Sequence, residues 1–187
     1  VPMRAAAVDD TGDTAIEEID SDVKERNVDY LQNEVTLMDT LTYGQFTYTV
    51  DNNQVTITGC NKSVTSIVIP AQIDGMDVVA IAFGAFDDCK SLNNIEIPKG
   101  VTSIGAYAFC NCTSLINIEI PRSVTSIGAY AFYHCTNLIN IEIPKGVASI
   151  EDFTFYQCSS LTNIKLQEGI VSIGGDAFWN CSSLINI

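Results

Sequence analysis

Basic residues are scarce in this chain: nine Lys and Arg stand against 23 Asp and Glu, for a formal net charge of −14. Phosphate backbones and anionic lipid surfaces are held through Lys and Arg, so this balance excludes nucleic acid as a partner and disfavours acidic membranes. The single histidine, His134, sits in a variable position where a solvent-facing residue is expected, and no second general base accompanies a nucleophile. Ser-His-Asp and Cys-His chemistry therefore have no members to draw on. No glycine-rich phosphate loop occurs, and no cofactor is implied. No apolar run approaches the roughly 20 residues that span a bilayer, so no transmembrane segment is expected. A signal-peptide core is missing too, so any export signal is expected to be already removed, with Val1 to Ala7 as the tail of a processing or anchoring region.

What the chain has in abundance is internal repetition. A shift of 23 residues superposes Phe86, Phe109, Phe132, Phe155 and Phe178, then Cys89, Cys112, Cys135, Cys158 and Cys181, then Leu92, Leu115, Leu138, Leu161 and Leu184. A fixed period of about 20 to 50 residues marks a solenoid, whose units bury their apolar faces only by stacking. Within a unit, Leu115, Ile118 and Ile120 alternate with Asn117 and Glu119 as in a strand with one buried face, and Pro121 ends it. Val124 and Ile127 mark a second extended piece. Gly128 permits a turn, and Ala131, Phe132 and Cys135 suit a helical or 3-10 turn that returns the chain. Four near-regular units begin at Asn94, Asn117, Asn140 and Asn163, preceded by an imperfect one interrupted near Asp74-Gly75-Met76-Asp77. The last coil reads as truncated at Ile187, with Leu184 and Ile187 open to water; either the natural chain continues, or self-association through the open C-terminal coil covers that end.

Two segments precede the array. Residues 1–43 read as an acidic leader or linker, partly helical, with a thin apolar stripe of Ile16, Ile19 and Val23 continuing at Leu31, Val35 and Met38. Residues 44–59 alternate as Phe46, Tyr48, Val50 and then Val55, Ile57 around Asp51-Asn52-Asn53, which predicts a β-hairpin placed to cap the first coil.

The pattern Leu-x-x-Ile-x-Ile-Pro, followed by Val-Thr-Ser-Ile-Gly-x-x-Ala-Phe-x-x-Cys, resembles the bacterial BspA-like class of leucine-rich repeats. The likeness covers about residues 44–187, and it says nothing of residues 1–43. It implies a right-handed leucine-rich repeat solenoid, with the array over 60–187, β-rich coils joined by short helical or 3-10 turns, and the hairpin as N-terminal cap. It further implies a bacterial protein that is secreted or at the cell surface, is not an enzyme, and adheres to host or neighbouring-cell surface or matrix proteins or glycans. The alternative is a structural spacer or presenting module within a longer surface protein. Three departures are local and affect one coil's shape more than the family resemblance: Gln167 for the strand-ending Pro, Glu151 for the Gly before the turn, and Thr154 for the Ala before Phe.

Three sets of residues are candidates. On the strand face, Asn94, Asn117, Asn140 and Asn163 form one outward column and Glu96, Glu119, Glu142 with Lys165 the next, flanked by Lys99, Arg122 and Lys145. This face is either a solvated copy of the repeat or a ligand surface; a calcium site lacks further oxygen ligands. On the turns, Tyr107, Tyr130 and Phe153 form one column and Tyr133, Tyr156 and Trp179 another, close enough to merge into a patch that either packs between coils or binds protein or sugar. The five columnar cysteines are expected as a buried structural ladder of free thiols, with disulfides between neighbours and a metal as the alternatives. Cys110 stands outside the column and is the one to test for modification; Cys110-Asn111-Cys112 has no second pair at ligand spacing, so no metal site follows.

Overall fold

The computed structural model describes residues 39–186. Residues 1–38 and Ile187 lie outside it, and with them the expected helix of the acidic leader and the last residue of the coil that the sequence reading expects to be cut short.

Three strands open the described chain: β1 (Leu41–Tyr43), β2 (Phe46–Asp51) and β3 (Gln54–Cys60). Alternation drives β2 and β3 together, since Phe46, Tyr48, Val55 and Ile57 all point inward and are 5% exposed or less. Their two-residue connection holds Asn52 and Asn53 at φ of 49° and 61°. Such a loop needs the left-handed region at both positions, and Asn accepts it more readily than most residues. The sequence reading places Leu41–Tyr43 in the leader; instead β1 pairs antiparallel with β2, Leu41 opposite Tyr48. Three residues, of which Leu41 and Tyr43 stay exposed, are too few to show the alternation that marks a strand.

From β3 onward neighbouring strands in the coils run parallel, in two columns. The first column contains β4 (Ser66–Val68) and, beyond the short β5 (Gln72–Ile73) and β6 (Met76–Ile81), β7 (Asn94–Glu96). The second continues from β3 through β6 to β8 (Ser103–Ile104) and β9 (Ser126–Ile127). Later coils supply β10 (Asn140–Ile143) and β12 (Asn163–Leu166) to the first column, and β11 (Ser149–Ile150) and β13 (Ser172–Ile173) to the second. To the first column the coil at Asn117 contributes only an isolated bridge to Asn140. The interruption of the first unit is a tight hairpin: β5 folds back on β6 across Asp74 and Gly75, at φ of 52° and 79°. Accordingly Ser66 pairs with Asn94, whereas Asn140 pairs with Asn163 at the regular interval.

The core is a stack of identical layers. Phe86, Phe109, Phe132 and Phe155 are fully buried, with successive rings parallel and their centroids 5.2 to 5.4 Å apart. Leu92, Leu115, Leu138 and Leu161 are likewise fully buried.

The return of each coil is not helical. Within one turn Ala108 donates to Gly105, Cys110 to Tyr107 and Cys112 to Phe109, while the amides between them, Tyr107, Phe109 and Asn111, donate to Ala129, Ala131 and Tyr133 of the next coil. A 3-10 helix would bond successive amides along the chain; here every second one is spent between coils. The alternation is made possible by left-handed residues four apart, such as Tyr107 with Asn111 and Tyr130 with His134, at φ of 57° to 60°. Side chains other than Gly, Asn or Asp seldom adopt this region, so Tyr, His and Phe153 hold it here at a cost that stacking must offset.

The second column breaks once. β9 is not laddered to β11, and β11 pairs only with β13. The gap falls beside Glu151.

β3 lies directly against β6, its Val55 and Ile57 both fully buried. We propose that the hairpin shields the first coil from water. Deleting residues 44–59 should then lower the thermal midpoint and the solubility of the array; an unchanged melting curve would refute the cap.

Candidate binding surfaces

The strand face follows from the period of two. Ile95, Ile118, Ile141 and Ile164 point inward and are at most 6% exposed, so their neighbours must point out. Asn94, Asn117, Asn140, Asn163, Glu96, Glu119, Glu142 and Lys165 are all exposed. The asparagines are not independent: Asn163 Nδ2 donates to Asn140 Oδ1 at 3.0 Å, and Asn186 Nδ2 to Asn163 Oδ1 at 3.1 Å. In the next column Lys165 replaces a glutamate and pairs with Glu142 at 3.1 Å. Hydrogen bonds from Lys165 and Gln167, with the Arg122 charge, hold the Glu142 carboxyl below its ordinary range.

A depressed carboxylate stabilises the fold above the unfolded pKa, and that contribution is lost as pH falls through the folded value. Because both partners are well exposed, the effect on stability is small. Lys165→Met should therefore move the Glu142 titration upward in a carboxyl-detected NMR series while leaving neutral-pH stability nearly unchanged; an unmoved titration would show that the pair does not form in solution.

Two hollows run along this face. One, of about 780 Å³, is lined by Asn117, Glu119, Asn140, Glu142, Asn163, Lys165 and Arg122 among others. The other, of about 840 Å³, is lined by Asn94, Glu96, Lys99, Asn117, Glu119 and Arg122 among others. Both combine carboxylates, amides and cations over a floor of isoleucine, which suits a polar ligand carrying some apolar surface.

The aromatic columns do meet. Tyr107, Tyr130 and Phe153 stack with centroids 4.5 and 4.7 Å apart, Tyr133, Tyr156 and Trp179 at 5.0 and 4.6 Å, and tilted contacts of Tyr130 with Tyr133 and Phe153 with Tyr156 join the two. Burial and neighbouring tyrosines raise the Tyr130 and Tyr156 hydroxyls above their ordinary values. Because inner rings stack on the coil above and the coil below, they offer edges to a ligand rather than faces. Phe83, 70% exposed, leans on Tyr107 at 5.2 Å. Sequence reasoning missed it because Gly84, not Phe83, occupies the column position.

Cys89, Cys112, Cys135 and Cys158 are buried, and Cys181 is half-buried. Cys110 is buried as well, 6% exposed, and burial with the neighbouring Asp87 carboxylate pushes its thiol up to about 12, so it is poorly placed for modification. His134 is half-buried rather than solvent-facing, its Nδ1 3.2 Å from Asn111 Oδ1 in the adjacent coil. Among the described residues no group of three or more His, Cys, Asp or Glu is placed to hold a metal, and no helix is long and apolar enough to cross a membrane. A further column went unnoticed in the sequence: Ile116 and Ile139 are exposed beside the strand face and line a hollow of about 410 Å³ with Asn137 and Thr162. Its signal was an isoleucine immediately after the buried leucine, where alternation calls for a polar side chain.

Residues 79–187 match the BspA type leucine rich repeat region in six copies. No curated protein sequence matches the chain. Among solved structures, a leucine-rich repeat protein of T. pallidum is 26% identical, covering 79% of this chain and 91% of that one, with a TM-score of 0.53. A leucine rich cell surface protein of Faecalibacterium prausnitzii is 27% identical over 79% of this chain and 53% of that one, TM-score 0.58. A leucine-rich repeat protein of Bacteroides capillosus is 26% identical over 68% of this chain and 98% of that one, TM-score 0.61. The fold is a repeat solenoid of about five turns, of a kind that is generally non-enzymatic.

Proposed function

Because the chain belongs to the BspA-type leucine-rich repeat family, we propose that it is a non-catalytic recognition module of an exported bacterial surface protein, binding a protein or glycan of a host or neighbouring cell through its strand face. The observation that carries this reading is the pair of contiguous hollows on that face, about 780 and 840 Å³, where exposed Asn, Glu, Lys and Arg side chains converge. Sites of this mixed character, with a few polar groups over an apolar floor, are where ligands are held and oriented. The aromatic patch is the weaker candidate, since the faces that would stack on a sugar are already covered by neighbouring rings.

One observation favours the spacer reading: the asparagine amides bond to one another between coils, so part of the face's polarity serves the stack itself. Binding of the purified chain to arrayed matrix glycoproteins and glycans at near-physiological salt separates the two. Saturable binding weakened by substitution of Asn117, Glu119 and Asn140 supports the strand face, and weakening instead by substitution of Tyr130 and Tyr156 moves the site to the turns. No saturable binding by folded protein favours the spacer.

A further inference from the structure

The thiol column has one member without the partner the others share. Cys112, Cys135, Cys158 and Cys181 each donate to the carbonyl of a phenylalanine in the preceding coil, Sγ to O 3.0 to 3.1 Å, always 26 residues earlier. The same step back from Cys89 reaches Ser63, in the exposed loop before β4, where no phenylalanine stands. The place is taken by the last residue of β3: Cys60 Sγ lies 3.3 Å from Cys89 Sγ. Two thiols thus meet where the hairpin touches the first coil, 29 residues apart in the chain.

We propose that Cys60 and Cys89 form a disulfide tying the hairpin to the first coil when the protein meets a low-molecular-weight disulfide, while the other five cysteines remain thiols. The sulfurs need to approach by only about 1.3 Å to reach the roughly 2.05 Å of the bond. Cys60 ends its strand and is half-buried, so a small oxidant can reach it; Cys89 is fully buried and cannot be reached first. In the first step the Cys60 thiol gives its proton across the contact to the Cys89 thiolate, and the Cys60 sulfur attacks one sulfur of the small disulfide. That S–S bond breaks, one small thiolate leaves, and a mixed disulfide stands on Cys60. Cys89 then gives its proton to solvent and attacks Cys60 Sγ, expelling the second small thiolate. Two cysteine thiols are oxidised to one disulfide, and the small disulfide is reduced to two thiols.

The contact helps the pair ionise. Hydrogen bonding from Cys60, aided by the Lys62 charge, lowers the Cys89 thiol from its ordinary value, while the same bond and burial raise that of Cys60; one proton thus stays shared across the contact. The columnar thiols lack this help. Burial raises Cys112, Cys135 and Cys158, and their S–H groups are committed to carbonyls. A bridge between hairpin and coil restricts the unfolded chain over the loop it closes and so holds the hairpin in place.

The test uses the whole 187-residue chain, reduced, folded, then incubated with oxidised glutathione, unfolded in alkylating agent and mapped by mass spectrometry. The expected result is one cross-link, Cys60 to Cys89, with five alkylated thiols and a melting midpoint raised by about 5 °C or more. Dithiothreitol should reverse the shift, and Cys60→Ser should show neither link nor shift. Seven alkylated thiols, glutathione left on Cys60 without a cross-link, or a link between cysteines one repeat apart would each overturn the proposal.

Discussion

Phe132→Ala should destabilise the array by about 3–5 kcal/mol, the range for removing a fully buried aromatic ring from a close-packed core. The reason is its place in the stack. Phe132 is fully buried between Phe109 and Phe155, at 5.3 and 5.4 Å, so truncation opens a void that damages two coil-to-coil interfaces at once. In a solenoid, stability is a sum of unit terms and nearest-neighbour terms, and a central residue enters two of the latter. Phe178 is half-buried and stacks on Phe155 alone among the described rings, at 5.5 Å. Phe178→Ala should therefore cost clearly less. Denaturant titration of both variants checks this, and equal losses would mean that the phenylalanine column does not carry the stacking. Tyr130→Gly provides a second contrast: it loses ring contacts on a half-exposed face but relieves a left-handed backbone at φ 60°, so its loss should fall below that of Phe132→Ala.

The features legible in the sequence were those copied in every unit. Columns of Phe, Leu and Cys at one period gave the stack, and the Asn-Ile-Glu alternation gave the strand face, because burial on one side dictates exposure on the other. What could not be read depends on where a unit has no neighbour of its own kind, or on conformations that residue types conceal. Cys60 lies outside the period, and only the fold brings it to Cys89. Left-handed Tyr107, Tyr130 and Phe153 occupy positions that backbone preference would give to glycine, and Gly84 and Asp176 in the same column were the hints. The return turns looked helical because Ala-Phe-x-x-Cys has helical spacing. That spacing instead reflects pairs of left-handed residues with bonds alternating along and between coils.

The departure at Glu151 was visible, and its structural consequence makes the second large prediction. In the regular coils this position is glycine, and a Cβ on Gly128 would lie 2.4 Å from the Ala106 amide nitrogen and 2.7 Å from its Cα. Those are backbone atoms of the preceding coil, which cannot yield without separating the coils. Gly128 N uses the closeness to donate to Ile104 O at 2.9 Å, and Gly174 N donates to Ile150 O at 2.7 Å. Glu151 carries the Cβ that this packing forbids, and beside it β9 and β11 are not laddered. Thr154 adds a bond within the same turn, its Oγ1 donating to Glu151 O at 2.7 Å beside its own amide at 3.4 Å, and this leaves the gap between the coils unbridged. Gly128→Ala should accordingly destabilise the array by about 1–3 kcal/mol through overpacking, with about 1 kcal/mol more for each inter-coil bond that opens. Glu151→Gly should act in the opposite sense. It lets the coils close and adds β9-to-β11 bonds worth about 1 kcal/mol each, against roughly 0.5–1 kcal/mol for the freedom a glycine loses on folding. Amide hydrogen exchange reads the change directly, through slower exchange at Ala148 and at position 151. Unchanged exchange in Glu151→Gly, or wild-type stability in Gly128→Ala, would show that the break in the sheet has a cause other than the side chain at this position.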